Sequence, residues 1–308
     1  MASPRFGSHS LFDRPYLLLT FVSLFWAINI VLGRYIAGTV PPIMLALARW
    51  GGASLILLPF VIHHIRRDWP EIRSHFWIMV LLSLTGMSLY NSFAYYGLQY
   101  TEAINGLLIQ SAGPLFIGLI SFVLFRDGLS GGQIVGILLS LSGVTVILTR
   151  GELSALLGLR FNHGDLWFLL ALITYATYAA ILRLRPKIHP LSFLGFTVIV
   201  GALLLVPPAM IESALGHRID PTPQAFVVMI YMAIFPSILA YFFFNRGVEL
   251  IGANRAGPFF HLIPVFGSAI AIVFLGERPE VFHAIGYLLI IGGIVVAQKW
   301  AKTASSDK

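Results

Sequence analysis

The chain carries one pattern twice, 150 residues apart, and that duplication restricts what it can fold into. Gly97 aligns with Gly247 without gaps, Ala103 with Ala253, Pro114 with Pro264, Phe116 with Phe266, Gly136 with Gly286 and Gly143 with Gly293. The sequence around these matches is almost wholly apolar in both copies, so residues 1–150 and 151–308 read as related halves of one integral unit. A water-soluble chain of this length needs a charged surface. Here 11% of the 308 residues are charged and 57% are hydrophobic, with mean hydropathy +0.85. The expectation is an all-α integral membrane protein, because in lipid the backbone must satisfy its own hydrogen bonds.

A helix crosses the hydrocarbon with about 20 apolar residues. Ten such stretches can be read: 16–36, 43–63, 75–98, 104–125, 132–149, 165–182, 191–211, 225–246, 255–275 and 281–299. The first is too long for the apolar core of a secretory signal and is expected to be retained. Alternate loops differ in Lys and Arg content. One side collects Arg5, Arg14, Arg66, Arg67, Arg73, Arg126, Arg183, Arg185, Lys187, Arg246, Arg255, Lys299, Lys302 and Lys308; the other has Arg34, Arg150, Arg160, Arg218 and Arg278. The positive-inside bias then puts both termini in the cytoplasm of a cell whose inner membrane the chain spans. Two halves of five spans each must run in opposite directions. Ten transmembrane helices arranged as two inverted five-helix repeats are an architecture of secondary transporters.

Several segments resemble a known family. Phe274-Leu275-Gly276-Glu277-Arg278-Pro279 with Gly286 and Gly293, Phe25-Trp26-Ala27-Ile28-Asn29-Ile30-Val31, and Ala46-Leu47-Ala48-Arg49-Trp50 are similar to the EamA-type drug/metabolite transporters. Tyr175, Tyr178, Arg183 and Pro190 repeat Trp26, Asn29, Arg34 and Pro41 at an offset of 149. The resemblance covers about residues 15 to 300, and length and aromatic content place it nearest the aromatic amino-acid exporter branch. It implies structural roles for Arg49 and Glu277. The first half departs from the pattern, with Arg126-Asp127 where the family has Gly-Glu.

Polar side chains deep in a span are costly unless they bind substrate, line water or bond another helix. The candidates for a substrate-binding cavity are Trp26, Asn29, Tyr90, Asn91, Tyr95, Gln110, Ser111, Tyr175, Tyr178, Tyr241, Asn245 and His261, with Thr174 and Thr177 beside them. Asn91 pairs with Tyr241, Tyr95 with Asn245 and Ser111 with His261 under the repeat, as expected for a central site at a pseudo-twofold midplane. Trp26 suits either a packed indole or a stacking wall, with Asn29 on the same helix face. His261 suits either a neutral imidazole bonded to a neighbouring helix or a proton carrier. Pro114, Pro236, Pro258 and Pro264 interrupt spans, and the matched pair Pro114 and Pro264 suggests either fixed kinks or hinges. Gly136, Ser140, Gly143, Gly286, Gly292 and Gly293 give the fifth and tenth spans small faces for scaffold or dimer contacts.

The function expected from these readings is export of small amphiphilic metabolites, amino acids with apolar or aromatic side chains among them, by alternating access through a central cavity. Efflux of lipophilic cations is the alternative, with aromatics in its favour and no central acid to hold the cation. Nucleotide-sugar exchange would want several cavity cations, and only Arg49 qualifies. An intramembrane enzyme would want clustered His and carboxylate groups. The pair His63-His64 is followed by Arg66 and Arg67 and reads as a cytoplasmic helix end. No catalytic residue, metal or cofactor is expected. The zero cysteine count excludes disulfides and thiolate sites, and no phosphate-binding loop offers direct ATP drive. The net charge of +7 is scattered over short loops, so nucleic acid is not an expected partner. The expected partners are a small-molecule substrate and the lipid bilayer, with the chain a monomer or a weak dimer.

Overall fold

A computed structural model describes residues 11–101, 106, 109–110, 112–149, 151–152, 163–275 and 280–303. Among them there is no strand. Six helices are long and apolar enough to cross a membrane: α1 (Pro15–Tyr35), α2 (Pro42–Ser74), α3 (Phe76–Tyr100), α6 (His163–Leu184), α7 (Pro190–Ala214) and α8 (Pro223–Ile251). Shorter apolar helices are α4 (Gly113–Phe125), α5 (Gly131–Leu148), α9 (Leu262–Leu275) and α10 (Val281–Thr303). Large apolar side chains point outward, among them Leu55 and Leu288, as lipid-facing residues must.

Helix starts follow from local chemistry. Pro42, Pro190 and Pro223 sit in the first turns of α2, α7 and α8, where a missing N–H costs no intrahelical bond. Thr222 Oγ1 and His189 Nδ1 accept from the Ala225 and Leu191 amides. The N-terminus of α2 is capped across helices. Glu212, at the end of α7, accepts from the Ile43 and Met44 amides at 3.2 and 2.8 Å, answering both the orphan donors and the positive end of the dipole.

Two expected spans differ in form. The helix predicted over 43–63 runs on to Ser74, about 16 Å further at 1.5 Å per residue. Val61, Ile65 and Ile72 stay buried, so an apolar stripe survives where the exposed face turns charged with Arg66, Arg67 and Arg73. The stretch 255–275 is not one helix: it divides into a single turn (Ala253–Ala256), a 3₁₀ segment (Gly257–His261) and α9. Pro258 and Pro264 withhold the amides that a continuous helix would use. Of 104–125, the continuous described part is α4, which begins at Gly113.

The chain forms two compact units that interleave in sequence. One, the Arg49 unit, holds Asn29–Gln110 and Arg160–Leu239; the other, the Trp26 unit, holds the described residues of Met1–Ile28, Ser111–Leu159 and Ala240–Lys308. Inside the Arg49 unit, α2 lies along α7 and α3 along α6. A Cβ on Gly97 would come 2.7 Å from the Gly164 carbonyl oxygen, so only glycine permits that approach of α3 to α6. Inside the Trp26 unit, α5 crosses α10 at comparable closeness. A Cβ on Gly136 would meet the Gly293 oxygen at 2.5 Å, one on Gly143 would meet the Gly286 oxygen at 2.7 Å, and Ser140 Oγ donates to the Ile290 oxygen between them.

Candidate functional site

The candidate residues gather into two clusters, one in each unit. The first is built on Arg49, which α2 carries among the small residues Ala46, Ala48, Gly51 and Gly52 and which is 1% exposed. Its Nε donates to Ser237 Oγ at 2.5 Å and its Nη2 to the Pro236 oxygen at 2.8 Å. Three oxygens face its Nη1: Asn91 Oδ1 at 2.6 Å, Tyr95 Oη at 2.8 Å and Asn29 Oδ1 at 3.3 Å. Tyr95 Oη in turn donates to Asn29 Oδ1 at 3.0 Å, and Asn91 Nδ2 donates to the Met87 oxygen at 2.8 Å. Every one of these partners is neutral, and no carboxylate pairs with Arg49 among the described residues. A buried guanidinium is tolerable here because its donors are met by oriented dipoles.

Two of those dipoles, the Pro236 carbonyl and the Ser237 hydroxyl, and the Met87 carbonyl that holds Asn91, lie in turns where helices change pitch. Residues Leu84–Leu89 of α3 and Ile234–Leu239 of α8 are π-helical, at positions that the 150-residue repeat equates. In α8 the cause is Pro236, which cannot donate to the preceding turn. Ser237 Oγ takes up the Met232 oxygen at 2.6 Å, and the Pro236 carbonyl turns to Arg49. In α3, Gly86 leaves room for the Tyr178 ring, which a Cβ would meet at 2.5 Å, and Ser88 Oγ donates to the Gly201 oxygen on α7 at 2.9 Å. Tyr175 lies between Tyr178 and Tyr90, with ring centroids 5.5 and 5.0 Å away, and Tyr90 Oη reaches Gln110 Oε1 at 3.5 Å.

The second cluster is aromatic. Trp26 is 4% exposed and meets Phe260, Phe244 and Tyr241 at centroid distances of 5.4, 5.5 and 5.9 Å. Ser23 Oγ, three residues earlier on α1, donates to the Phe259 oxygen at 2.8 Å and so ties α1 to the 3₁₀ segment. His261 ends that segment and is fully buried, and Asn245 is buried on α8. Pro114 is the second residue of α4 and Pro264 the third of α9, so both stand at helix starts. Pro114 packs on the 3₁₀ segment, 3.4 Å from where a Cβ on Gly257 would lie. Ser111 and Glu277 fall outside the described residues.

Ser237, Pro236 and the Met87 carbonyl join the Arg49 cluster although the candidate set omits them. The signal for Ser237 is its place after Pro236 inside an apolar run. A groove lined by Tyr35, Pro223, Gln224, Val227 and Val228 contains none of the candidates. No group of three or more His, Asp or Glu residues among those described could hold a metal.

Long apolar helices that turn their polar side chains onto one another define a multi-pass membrane protein. The family model for EamA-like transporters matches residues 14–149 and again 162–298, and the chain belongs to that family. It is 28% identical over 92% of its length to an uncharacterised transporter of Bacillus subtilis, YyaM, and covers 92% of that protein. A probable terminal-alkyne amino-acid exporter of Streptantibioticus cattleyicolor is 25% identical, with 92% of this chain and 91% of that one covered. A crystal structure of a chain 21% identical has the same fold, with TM-score 0.73 over 94% of this chain and 98% of the other. The names of the relatives point to transport and not to enzymatic chemistry.

Proposed function

We propose that the protein is a secondary transporter that exports small amphiphilic metabolites, amino acids with apolar or aromatic side chains first among them, by alternating access. The observation that carries this reading is the Arg49 cluster. A buried cation whose donors are met by neutral partners sets a positive potential without touching a ligand, and that potential, which arginine and a protonated lysine share, disfavours a lipophilic cation more than a zwitterion or anion. Within its own unit, the ring cluster at Trp26 offers an apolar, aromatic surface of the kind that apolar side chains favour. The resemblance to a probable terminal-alkyne amino-acid exporter supports amino acids as the substrate class. Multidrug efflux is the second reading, favoured by the four-ring cluster at Trp26, whose faces suit a planar cation.

The architecture that goes with this function is ten spans in two inverted repeats of five, residues 1–150 and 151–308, with both termini in the cytoplasm of a cell bounded by its inner membrane. The double family match and the repeat-related π-helical turns support it. So does the crossing of α5 and α10, where Gly136 meets Gly293 and Gly143 meets Gly286 in a reciprocal pattern about Ser140 and Ile290.

The test is flux into proteoliposomes of labelled tryptophan, threonine and methyl viologen, each in competition with the others, at equal and unequal pH. Saturable tryptophan flux is the expected result, and a rise with a pH gradient would make His261 the first residue to replace. Viologen flux without amino-acid flux would overturn the substrate assignment and leave the transporter class standing.

A further inference from the structure

We propose that Arg49 is a positioning residue that works as a clasp. It holds the π-helical turn Ile234–Leu239 of α8 against α1, α2 and α3, and this turn is a moving joint of the transport cycle. The inference goes beyond the substrate reading and needs only that the protein transports.

The geometry distinguishes a clasp from an inert brace. A π-helical turn holds one residue more than an α-turn, so it can pass that residue along and re-form as α-helix at small cost in backbone bonds. Ile234–Leu239 is such a turn with a proline at its centre, and its spare carbonyl and hydroxyl are both engaged by one side chain. Removing the guanidinium would take away at once the donors that the Pro236 oxygen and Ser237 Oγ accept from. The bonds are unevenly filled: three oxygens crowd Nη1, while Nη2 has the Pro236 oxygen alone. Beside them, Tyr231 Oη is buried with no hydrogen-bond partner. A buried donor left unmet on the same helix, one residue before Met232, is what a second arrangement of α8 would satisfy. The matching turn in α3 has no such cation: Val198 occupies the repeat position of Arg49, and Gly86 and Met87 those of Pro236 and Ser237. The clasp is therefore particular to one half of the duplicated chain.

The protein has no cysteine, so a single introduced thiol reports without background. Met232→Cys places the thiol at a fully buried position whose side chain lies 3.6 Å from Tyr95 Oη, directly behind the clasp. A membrane-impermeant, water-soluble thiol reagent is added to the full chain in proteoliposomes, and the labelling rate is read with and without Arg49→Lys or Ser237→Ala. Lysine keeps the charge and loses the fork that reaches Pro236 and Ser237 together. The expected result is faster labelling in both, by about tenfold for Arg49→Lys and about threefold for Ser237→Ala. Ala171→Cys, fully buried on α6 of the same unit, should label at an unchanged slow rate. In tryptophan counterflow kcat should fall with KM held within about twofold. Unchanged labelling at position 232 in both variants would overturn the clasp, and so would an equal rise at position 171, which means general loosening. A raised KM with unaltered labelling would also overturn it, making Arg49 a contact for the substrate carboxylate. Labelling requires no substrate, so the joint is tested even if tryptophan is not carried.

Discussion

Around Arg49 five oxygens meet one guanidinium; around Trp26 three aromatic rings meet one indole. The repeat relates parts of these clusters, for Asn91 and Tyr95 of the first stand where Tyr241 and Asn245 stand in the second. Duplication has thus kept the helical frame and let the chemistry diverge. Hydrogen bonds to a buried charge are directional, so each partner in the first cluster has one acceptable atom in one place. Ring contacts depend on area and shape, so the second cluster should accept side chains of similar volume. The two should respond differently to substitution, and that difference is open to measurement.

The largest expected effect lies in the Trp26 unit but away from its rings. Gly136→Leu puts a side chain where even a Cβ comes within 2.5 Å of the Gly293 oxygen and 2.6 Å of the Ala297 nitrogen. Backbone on the far side cannot move aside, so the variant should fail to give monodisperse protein by size exclusion. Gly131→Leu, five residues earlier on α5 with nothing within 4 Å of a Cβ, should behave as wild type. Equal behaviour of the two would mean that α5 and α10 do not cross as described.

Next in size is Trp26→Ala. It empties the space of a buried indole and should cost about 3–5 kcal/mol, read as a large fall in Tm in detergent. Phe260→Leu nearby should cost less than about 1.5 kcal/mol, because apolar volume is largely retained. The Arg49 cluster should reverse that tolerance. Asn91→Leu keeps the branched shape of the side chain, yet it takes an acceptor from Arg49 and a donor from the Met87 oxygen, for about 1–3 kcal/mol. If Asn91→Leu proved as mild as Phe260→Leu, the contrast between the clusters would fail.

How much of this was legible beforehand follows the same division. The apolar runs are dictated by composition and length, and α1, α3, α6 and α7 begin within two residues of the expected positions. The mid-span polar residues were visible as costly exceptions, and Asn29, Asn91 and Tyr95 do meet at one place. Arg49 as their common partner was not visible, since a hydrogen-bond hub depends on how four helices are rotated about their axes. The π-helical turns were also hidden. Pro236 announces a disturbance in α8, but Leu84–Leu89 has no proline and changes pitch through packing of Gly86 on Tyr178. The length of α2 was underestimated because charge was taken to end a helix, although Val61, Ile65 and Ile72 continue its buried stripe.

The smallest expected effect sharpens the comparison by asking whether charge matters elsewhere in the Arg49 unit. Just before α7, the His189 ring stacks on His64 at 4.1 Å with the planes 8° apart. Asp68 accepts from the His189 amide at 2.9 Å and from Ser192 Oγ at 2.6 Å. Burial first, then the neighbouring His64 and Arg67, hold the His189 imidazole below its ordinary value of 6.5, with Asp68 acting against them. The unfolded chain therefore takes up this proton at a higher pH than the folded one. Above about pH 6.5 both forms are neutral and the site adds no pH dependence; as pH falls from there through the folded value, stability is lost, then levels off. The site is partly exposed, so screening keeps the effect to about a degree in Tm between pH 7.5 and 5. His189→Gln, which keeps a polar group without the charge change, should flatten that part of the profile. A slope left unchanged by His189→Gln would mean that acid acts elsewhere and that the stacked imidazoles are spectators.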